Sequence, residues 1–513
     1  MTRQQKMAKS AAMIAIFTLL SKGLGFIREV LIASRYGSGM ETDTYFVAMS
    51  STVIIMTTIG SALNTTLIPI FSEIGQKKGK EGRLRYLNNI LNIVFFISLI
   101  LAIVSYIASP LVIKVMAKGF RGEQFDLAVG LNRIGLPIIV FLGFTHVLSG
   151  YLHSLQIFGP HAIMGIPYNF IFLIFLLFFA EGKSIGMLML VSVLASATQF
   201  LIQIPATRNT GYRYSLNVNL RDPYIKRALY LVFPVLLGSS VQQLNVIIDK
   251  TLASDLVEGS ISALSYASRI NDLIISVFIA AITTVVFPML SEASSRNDVK
   301  GTVKILNQGV SIILLITVPA SIGILILGHP LVQVFFERGA FSADASIMTS
   351  GALIYYSIGL VAIALRSMLN KVFYSLQDTK TPMINGVIGV LLNVILNLML
   401  IGSMQHRGLA LATSISTIIT TITLLYRLRI KMGPLGIVGM VVSFVKTLLA
   451  SLVMGFFVYM IYYRIGVFLH QTKLIQLLIL LAAIGVGVIV YFLMLMVVMR
   501  KELKMLLRTV VRR

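Results

Sequence analysis

The sequence contains no cysteine, which excludes disulfide bonds, thiolate chemistry and metal sites built on cysteine. Its six histidines are scattered along the chain and show no metal-ligand spacing. Charged residues make up only 12% of the 513 residues, about half the share found in soluble domains. With 57% hydrophobic residues and a mean hydropathy of +0.89, the composition excludes a soluble globular protein.

Long apolar runs recur from end to end, and each is long enough to cross the hydrocarbon core as a helix. A transmembrane β-barrel would instead show short segments of alternating apolar and polar residues. The sequence therefore predicts an all-α polytopic membrane protein with fourteen transmembrane helices. They are expected at 8–34, 42–71, 88–113, 127–153, 159–180, 184–206, 226–254, 260–290, 303–327, 345–373, 382–402, 408–428, 437–463 and 474–499.

Acidic residues are few, 19 against 43 Lys and Arg, which gives a net charge of +24. Nucleic-acid binding is one interpretation of such an excess, but the positive-inside rule of membrane proteins explains it without a nucleic-acid partner. Placing both termini in the cytoplasm puts 27 Lys and Arg on that side, 9 on the other and 7 within spans. This bias predicts an even number of spans with cytoplasmic N- and C-termini.

The chain resembles itself at an offset of about 220 residues. The segment LIPIFSEIGQKKGK (67–80) matches VFPMLSEASSRNDVK (286–300), and YLHSLQIFGP (151–160) matches VFYSLQDTKTP (372–382). Because the offset contains six helices, an even number, the two lobes are expected to share one orientation, as in alternating-access transporters with parallel repeats. The predicted parts are a six-helix N-lobe at 1–218, a six-helix C-lobe at 219–432, and two further helices with a basic cytoplasmic tail at 433–513.

The first predicted span carries three charges in its interior, Lys22, Arg28 and Glu29. Each charge costs roughly 2.5–3.5 kcal/mol near the bilayer centre, so the helix needs compensation. At 100° per residue, the three side chains form one broad polar sector of the helix. They are therefore expected to face the protein interior or a water-filled cavity rather than lipid.

Bases outnumber acids within the predicted spans: there are seven Lys and Arg, and the clearly embedded acids are Glu29, Asp249 and Asp272. Arg269 lies one turn from Asp272 on the eighth span, and Asp43 opens the second. One interpretation is that these charges only pair with one another inside the bundle. The other is a cationic cavity for a phosphate-bearing substrate, because a buried excess of positive charge needs an anion or water.

A second polar group lies mainly in the predicted C-lobe. Asn393 and Asn397 share one helix face, Thr413 opens the next span, and Asp249 lies on the seventh. One carboxylate with amide and hydroxyl oxygens suits a hard monovalent cation, which makes these four residues a candidate Na⁺ site. Hydrogen bonds between neighbouring helices are the alternative interpretation.

Enzyme signatures are absent from the sequence. It has no glycine-rich phosphate loop with Lys and Ser/Thr, which excludes a P-loop ATPase, and no plausible set of nucleophile, base and acid. The sequence therefore predicts a transporter without a required cofactor, coupled to an ion gradient, to the membrane potential or to downhill substrate flow.

Three segments carry a family resemblance: SKGLGFIREVLIASRYGSGMETDTYFVA (21–48), FERGAF (336–341) and FYSLQDTKTP (373–382). They resemble the MurJ-type lipid II flippases of the mouse-virulence-factor branch of the MOP superfamily. The resemblance implies a bacterial inner-membrane protein that moves undecaprenyl-pyrophosphate-linked peptidoglycan precursor to the outer leaflet by alternating access. It also implies a lipid-tail groove formed by the last two helices, and lipid II, membrane lipids and cell-wall synthesis proteins as partners.

By position, the resemblance implies that Arg28 and Arg269 bind the pyrophosphate and its headgroup. Lys22 stands where many relatives have Arg, Glu29 where they often have Asp, and Asp43 matches an acid of the second helix. Some relatives carry paired arginines in that helix, where STVIIMTTIG (51–60) has no base. In some members a sodium ion lies in the C-terminal lobe, and the four candidate residues named above match its positions.

Three alternatives remain open on the sequence. A flippase for another polyprenyl-linked glycan, of the teichoic-acid or O-antigen type, would share the pyrophosphate. A cation-coupled drug exporter of the same superfamily would have an acidic or apolar cavity. A membrane glycosyltransferase would need an embedded catalytic carboxylate, for which Asp43 and Glu29 are the candidates.

Overall fold

The computed structural model describes residues 3–296, 298–466 and 472–498. The described residues form helices joined by short turns, without a β-strand among them, which confirms the all-α class. The chain divides into two compact units, Met1–Ser262 and Ala263–Arg513. The lobe boundaries expected from the repeat, at 218 and 432, remain predictions, and the predicted basic tail after residue 499 lies outside the described residues.

The first unit is built around one very long helix, against which shorter helices pack. Its helices are α1 (Arg3–Tyr36), α2 (Met40–Ile107), α3 (Ser109–Met116), α4 (Gly122–Gly135), α5 (Pro137–Ser154), α6 (Gly159–Ile163), α7 (Gly165–Phe178), α8 (Ile185–Leu201), α9 (Ile204–Asn209), α10 (Pro223–Ala253) and the first turn of α11 (Ser260–Ser295). The long helix α2 contacts α4, α5 and α10, and α1 packs on α7.

The second unit contains the rest of α11 and six further helices within the described ranges. They are α12 (Val299–Phe336), α13 (Ala343–Ile358), α14 (Leu360–Ser375), α15 (Lys380–Met432), α16 (Ile437–Tyr459) and α17 (Lys473–Val498), with a π-helical turn at Met460–Ile465. Helix α16 packs between α12 and α17, and α14 and α13 contact α15.

Eight helical segments of the described chain are long and apolar enough to cross a membrane, or nine if the pair α13 and α14, bent by 47°, is one span. This confirms a polytopic membrane protein. Two of these segments are much longer than one crossing: α2 has 68 residues and α15 has 53. Each contains two of the predicted spans, so the helices are compatible with fourteen crossings, a number that remains a prediction.

The connection expected at 72–87 is helical in the structure rather than a loop. At 1.5 Å per residue, α2 would extend for about 100 Å if it were straight, about three times the hydrocarbon core. Its single break is Gly79, whose φ of 67° is accessible mainly to glycine. The segment is helical because its Gln, Lys, Glu, Arg and Leu residues are strong helix formers, a preference that hydropathy does not record.

The core of the first unit lies where α2 folds against α5. Phe71 meets the rings of Tyr86 and Tyr151 edge to face, with centroids 5.2 and 5.4 Å apart, and all three side chains are buried. Such aromatic pairs stabilise by about 0.5–1.5 kcal/mol beyond the area they bury. The second unit has its own core, in which Leu306, Met368 and Leu424 are buried among aliphatic neighbours.

Candidate functional site

The polar sector of α1 is built around the guanidinium of Arg28. Its Nη2 donates to Glu29 Oε1 at 2.6 Å, and its Nη1 donates to Asn169 Oδ1 of α7 at 3.0 Å. The side chains of Arg28 and Glu29 are 15% and 4% exposed. The ion pair is therefore largely removed from solvent, and Glu29 pairs with Arg28, the second of the two partners that its sequence position allowed.

Two aromatic rings of α7 complete the setting of Arg28. Its guanidinium carbon lies 5.3 Å from the ring centroid of Tyr168 and 5.1 Å from that of Phe172. Both distances fall within the range of cation–π attraction. Arg28 is thus fixed by a carboxylate, an amide and two rings, while only two of its five N–H groups have acceptors among the described residues.

Asn169 also joins α1 to α7. Its Nδ2 donates to Ser21 O at 3.1 Å and to Gly165 O at 2.7 Å, while its Oδ1 receives the bond from Arg28. The helices approach closely because position 165 is glycine: a Cβ there would lie 2.0 Å from Ser21 Oγ. Sequence reasoning missed Asn169, although a lone amide in the apolar run IPYNFIFLIF (166–175) was the available signal.

Lys22 lies on α1 outside this arrangement. Its side chain is exposed, and it forms no ion pair with the described residues. The sector expected from the helical wheel therefore holds one bonded pair, Arg28 with Glu29, and one separate cation. The role of Lys22 in substrate binding remains a prediction.

The carboxylate of Asp43 binds backbone N–H groups at the start of α11. It is 3% exposed, and its Oδ2 accepts the N–H of Gly259 at 2.8 Å while its Oδ1 accepts that of Ser262 at 2.6 Å. These N–H groups belong to the start of α11, where the helix dipole is positive. Ser38 adds a hydroxyl contact of 2.7 Å to Ser262. The predicted contact of Asp43 with substrate is not needed to explain its burial.

Arg269 belongs to the second unit and lies on α11 with an exposed side chain. Asp272, one turn further along the helix, is also exposed. Both are placed at the surface of their own unit, in contrast to the enclosed pair at Arg28. The assignment of Arg269 to the substrate remains a prediction.

The candidate cation residues belong to both units. In the second unit, Asn397 Nδ2 donates to Asn393 Oδ1 at 2.9 Å, and Asn393 Nδ2 donates to Thr413 Oγ1 at 3.2 Å. In the first unit, Asp249 Oδ2 accepts a long bond of 3.4 Å from Asn245. Within the described ranges, no three His, Cys, Asp or Glu side chains converge to hold a metal ion. The Na⁺ site remains a prediction.

Known proteins are similar to this chain in sequence and in fold. The family "Lipid II flippase MurJ" matches residues 32–483. A probable lipid II flippase MurJ of Rickettsia prowazekii (strain Madrid E) is 29% identical over 490 residues, covering 94% of this chain and 96% of the relative. One from Rhizobium tropici is 30% identical over 408 residues, covering 78% and 76%.

Among solved structures, "Lipid II flippase MurJ, inward closed conformation" is 27% identical with a TM-score of 0.80, and the match covers 96% of this chain and 99% of that one. A MATE-family multidrug resistance transporter of the MOP superfamily is 15% identical with a TM-score of 0.68, covering 82% and 99%, and shares the fold alone. The family match extends over most of the sequence and contains the second helix and both pairs of repeated segments. The chain therefore belongs to the lipid II flippase MurJ family.

Proposed function

We propose that this chain is a lipid II flippase of the bacterial inner membrane, which moves the undecaprenyl-pyrophosphate-linked peptidoglycan precursor from the cytoplasmic to the outer leaflet. Family membership over residues 32–483 carries this proposal. The curated relatives are themselves called lipid II flippases, so a flippase for another glycan is not favoured. The chain is a transporter and not an enzyme, and it supports peptidoglycan synthesis through its substrate.

Arg28 is the residue on which substrate binding depends. A guanidinium is always charged and matches phosphate oxygens with a planar fork of donors. Its contacts with Glu29 and Asn169 hold that fork in one orientation, so little conformational entropy is lost when a pyrophosphate binds. Arg269 supplies the second guanidinium and Lys22 a further positive charge, while Glu29 orients Arg28 and Asp43 anchors the start of α11.

The transport cycle alternates access between the two membrane faces. The headgroup enters the cationic cavity from the cytoplasmic side while the polyprenyl tail stays in lipid along the groove formed by 433–513. The termini lie in the cytoplasm, as the 27 to 9 distribution of basic residues supports. An inside-negative potential, worth about 2.3 kcal/mol per charge per 100 mV, returns the cationic empty carrier.

Coupling to Na⁺ is a second part of the proposal. Asp249, Asn393, Asn397 and Thr413 supply carboxylate, amide and hydroxyl oxygens, the donor types that hard cations prefer. Cell-wall synthesis proteins are the expected partners, since they supply and consume lipid II.

The experiment that tests the proposed function depletes this protein in its own host and measures lipid II in the outer leaflet with an externally added toxin that cleaves it. Depletion should leave lipid II out of the toxin's reach. The wild-type protein should restore cleavage, and Arg28→Ala, expressed at equal abundance, should not.

Lys183→Gln is the matched control, because Lys183 is an exposed cation in the turn between α7 and α8. It should restore cleavage as well as wild type. Normal exposure of lipid II after depletion, in cells without a second flippase, would contradict the proposed substrate. Full rescue by Arg28→Ala would contradict the assigned site and leave the substrate standing.

A further inference from the structure

The linker 210–222, which leads into α10, is fastened to α2 by three asparagine side chains. Asn89 donates to Asn219 O at 3.0 Å and accepts the Asn219 N–H at 2.7 Å. Asn92 donates to Ser215 O and Asn217 O, both at 3.0 Å. Asn88 adds bonds to Arg213 O and Ser215 N–H, each of 3.0 Å. This extended, largely exposed segment is therefore held in one place.

Beside these asparagines lies a cleft of about 330 Å³, within the range of small-molecule sites. One wall is the α2 segment 74–89, which supplies Lys78 and Arg85. The other is the fastened linker with Asn217, together with Tyr224 in the first turn of α10. The lining is mostly polar side chains. Because α2 and the asparagine bonds fix both walls, the cleft is formed before any ligand arrives.

The cleft also contains two carboxylates, and each has a partner within the protein. Glu81 lies 3.7 Å from Arg85, one turn away on α2. Asp222 accepts the N–H of Tyr224 at 2.9 Å and caps the N-terminus of α10. Lys78 has no carboxylate within ion-pair distance in the described ranges, and its ammonium lies 4.9 Å from the ring of Tyr224. Lys78 is therefore a cation of the lining that no carboxylate pairs with among the described residues.

The hydroxyl of Tyr86 is the second feature of the cleft that suits an anion. Tyr86 lines the cleft and is 3% exposed, and its hydroxyl has no hydrogen-bond partner among the described residues. Its ring is fixed edge to face against Phe71 at 5.2 Å and Tyr224 at 6.2 Å. A buried hydroxyl without a partner is unfavourable, and an acceptor in the cleft would remove this cost.

We propose that this cleft is a binding site for a phosphate group, held by the Lys78 ammonium, the Tyr86 hydroxyl and the fork of Arg85. Lys binds phosphate as a point charge, and Arg binds it with paired donors. Asp222, the second carboxylate of the lining, is held at the N-terminus of α10, whose positive end offsets part of its charge. The site is separate from Arg28 and does not depend on the proposed transport function.

The phosphate can belong to a soluble ligand or to a lipid headgroup, and two measurements distinguish these sources. Glycerol phosphate is titrated calorimetrically into the purified full-length chain in detergent micelles. Phosphatidylglycerol is offered in nanodiscs of phosphatidylcholine, and the bound lipid is counted by native mass spectrometry. Tyr86→Phe and Lys78→Gln should each weaken binding of the true source at least about tenfold, since a hydrogen bond to a charged group is lost.

Tyr106→Phe and Lys183→Gln are the controls, because they remove a hydroxyl from the same helix and a cation from an exposed turn outside the cleft. Both should bind like wild type. Tyr86→Phe keeps the ring contacts, and unchanged thermal unfolding without ligand confirms that it folds. Binding of neither probe, or equal affinity in wild type, Tyr86→Phe and Lys78→Gln, would overturn the proposal.

Discussion

Helices α1 and α10 begin the two repeats and carry an acid at matching positions, but each acid has a different partner. Glu29 and Asp249 are 220 residues apart, the offset that also relates Ala33-Ser34 to Ala253-Ser254. Glu29 is buried and accepts a 2.6 Å bond from Arg28. Asp249 is partly exposed and accepts a 3.4 Å bond from Asn245.

The preceding position explains the difference, because it is Arg28 in α1 and Ile248 in α10. The repeat has kept the acid, and the residue before it has changed from a base to an apolar residue. A buried ion pair seldom stabilises a fold more than apolar residues of similar size, so stability alone does not explain Arg28. Its presence at this position of the first repeat alone is consistent with the binding role proposed for Arg28, a role that Ile248 does not share.

Removing the base from this pair should have the largest effect. Arg28→Ala leaves the carboxylate of Glu29 buried without its cation, which costs about 3–5 kcal/mol, and abolishes flipping. Thermal unfolding in detergent and toxin access to lipid II measure the two losses. The double variant Arg28→Met/Glu29→Gln should recover most of the stability and none of the transport. Recovery of both would contradict a binding role for Arg28.

Neutralising the two matched acids should show a smaller and unequal effect. Glu29→Gln should cost about 1–3 kcal/mol, because a charged hydrogen bond in a largely buried site becomes a neutral one. Asp249→Asn should cost less than about 1 kcal/mol, since the carboxylate of Asp249 is partly exposed to water. Chemical unfolding of both variants in the same detergent gives the comparison. Equal costs would show that the two acids have equivalent surroundings.

The sequence predicted much of this arrangement from local spacing. The apolar runs gave the helical class, and the 100° rotation per residue grouped Arg28 with Glu29. The contact of Asn169 with Arg28 was not predicted, because the two residues are 141 positions apart and no periodicity in one sequence relates two distant helices.

Other features were not predicted because hydropathy does not encode them. The continuous helix through 72–87 depends on helix propensity, and the hold on the linker depends on side-chain bonds from Asn88, Asn89 and Asn92 to a distant backbone. Scattered histidines can also meet in space: the rings of His153 and His161 lie 4.9 Å apart. Spacing in sequence predicts neighbours on one helix and not contacts between helices.

The two repeats share one backbone conformation at the turns that follow α5 and α14. Gln156 and Gln377 both adopt left-handed conformations, with φ of 60° and 57°. The N–H groups of Ile157 and Asp378 each donate to the carbonyl five residues earlier, at 2.9 Å. This hydrogen bond satisfies a helix-terminal carbonyl in the way of a Schellman motif. The two turns share their backbone and differ in the residue that follows, an apolar Ile157 against an acidic Asp378.

Asp378 makes the stabilisation of the second turn depend on pH, whereas Ile157 at the matching position of the first turn does not titrate. Lys431 donates to Asp378 at 2.7 Å, and this bond, with those from Thr381, lowers the pKa of Asp378 to about 2. Because the pKa of Asp378 is lower in the folded than in the unfolded protein, where it is near 4, its carboxylate stabilises the fold above about pH 4. This stabilisation disappears as the pH falls towards 2. Asp378→Asn should therefore cost about 0.5–1 kcal/mol at neutral pH and almost nothing near pH 2.

Thermal unfolding of wild type and Asp378→Asn across this range measures the effect. Lys431 is 42% exposed, so the difference should also shrink at high salt. Ile157→Asn is the control in the first repeat, where no acid titrates, and its cost should stay the same across the pH range. A difference for Asp378→Asn that persists at pH 2 would assign the effect to packing instead of charge.

Glycine at the left-handed position should give the smallest effect, and the same one in both repeats. A non-glycine residue pays about 1–2 kcal/mol for this conformation, and glycine offsets part of the gain through its greater freedom when unfolded. Both glutamine side chains are exposed, so few contacts are lost. Gln156→Gly and Gln377→Gly should each stabilise by up to about 1 kcal/mol in unfolding measurements, whereas Gln156→Ala and Gln377→Ala, which keep the strain, should not. A gain at only one turn would show that the shared backbone hides different strain in the two repeats.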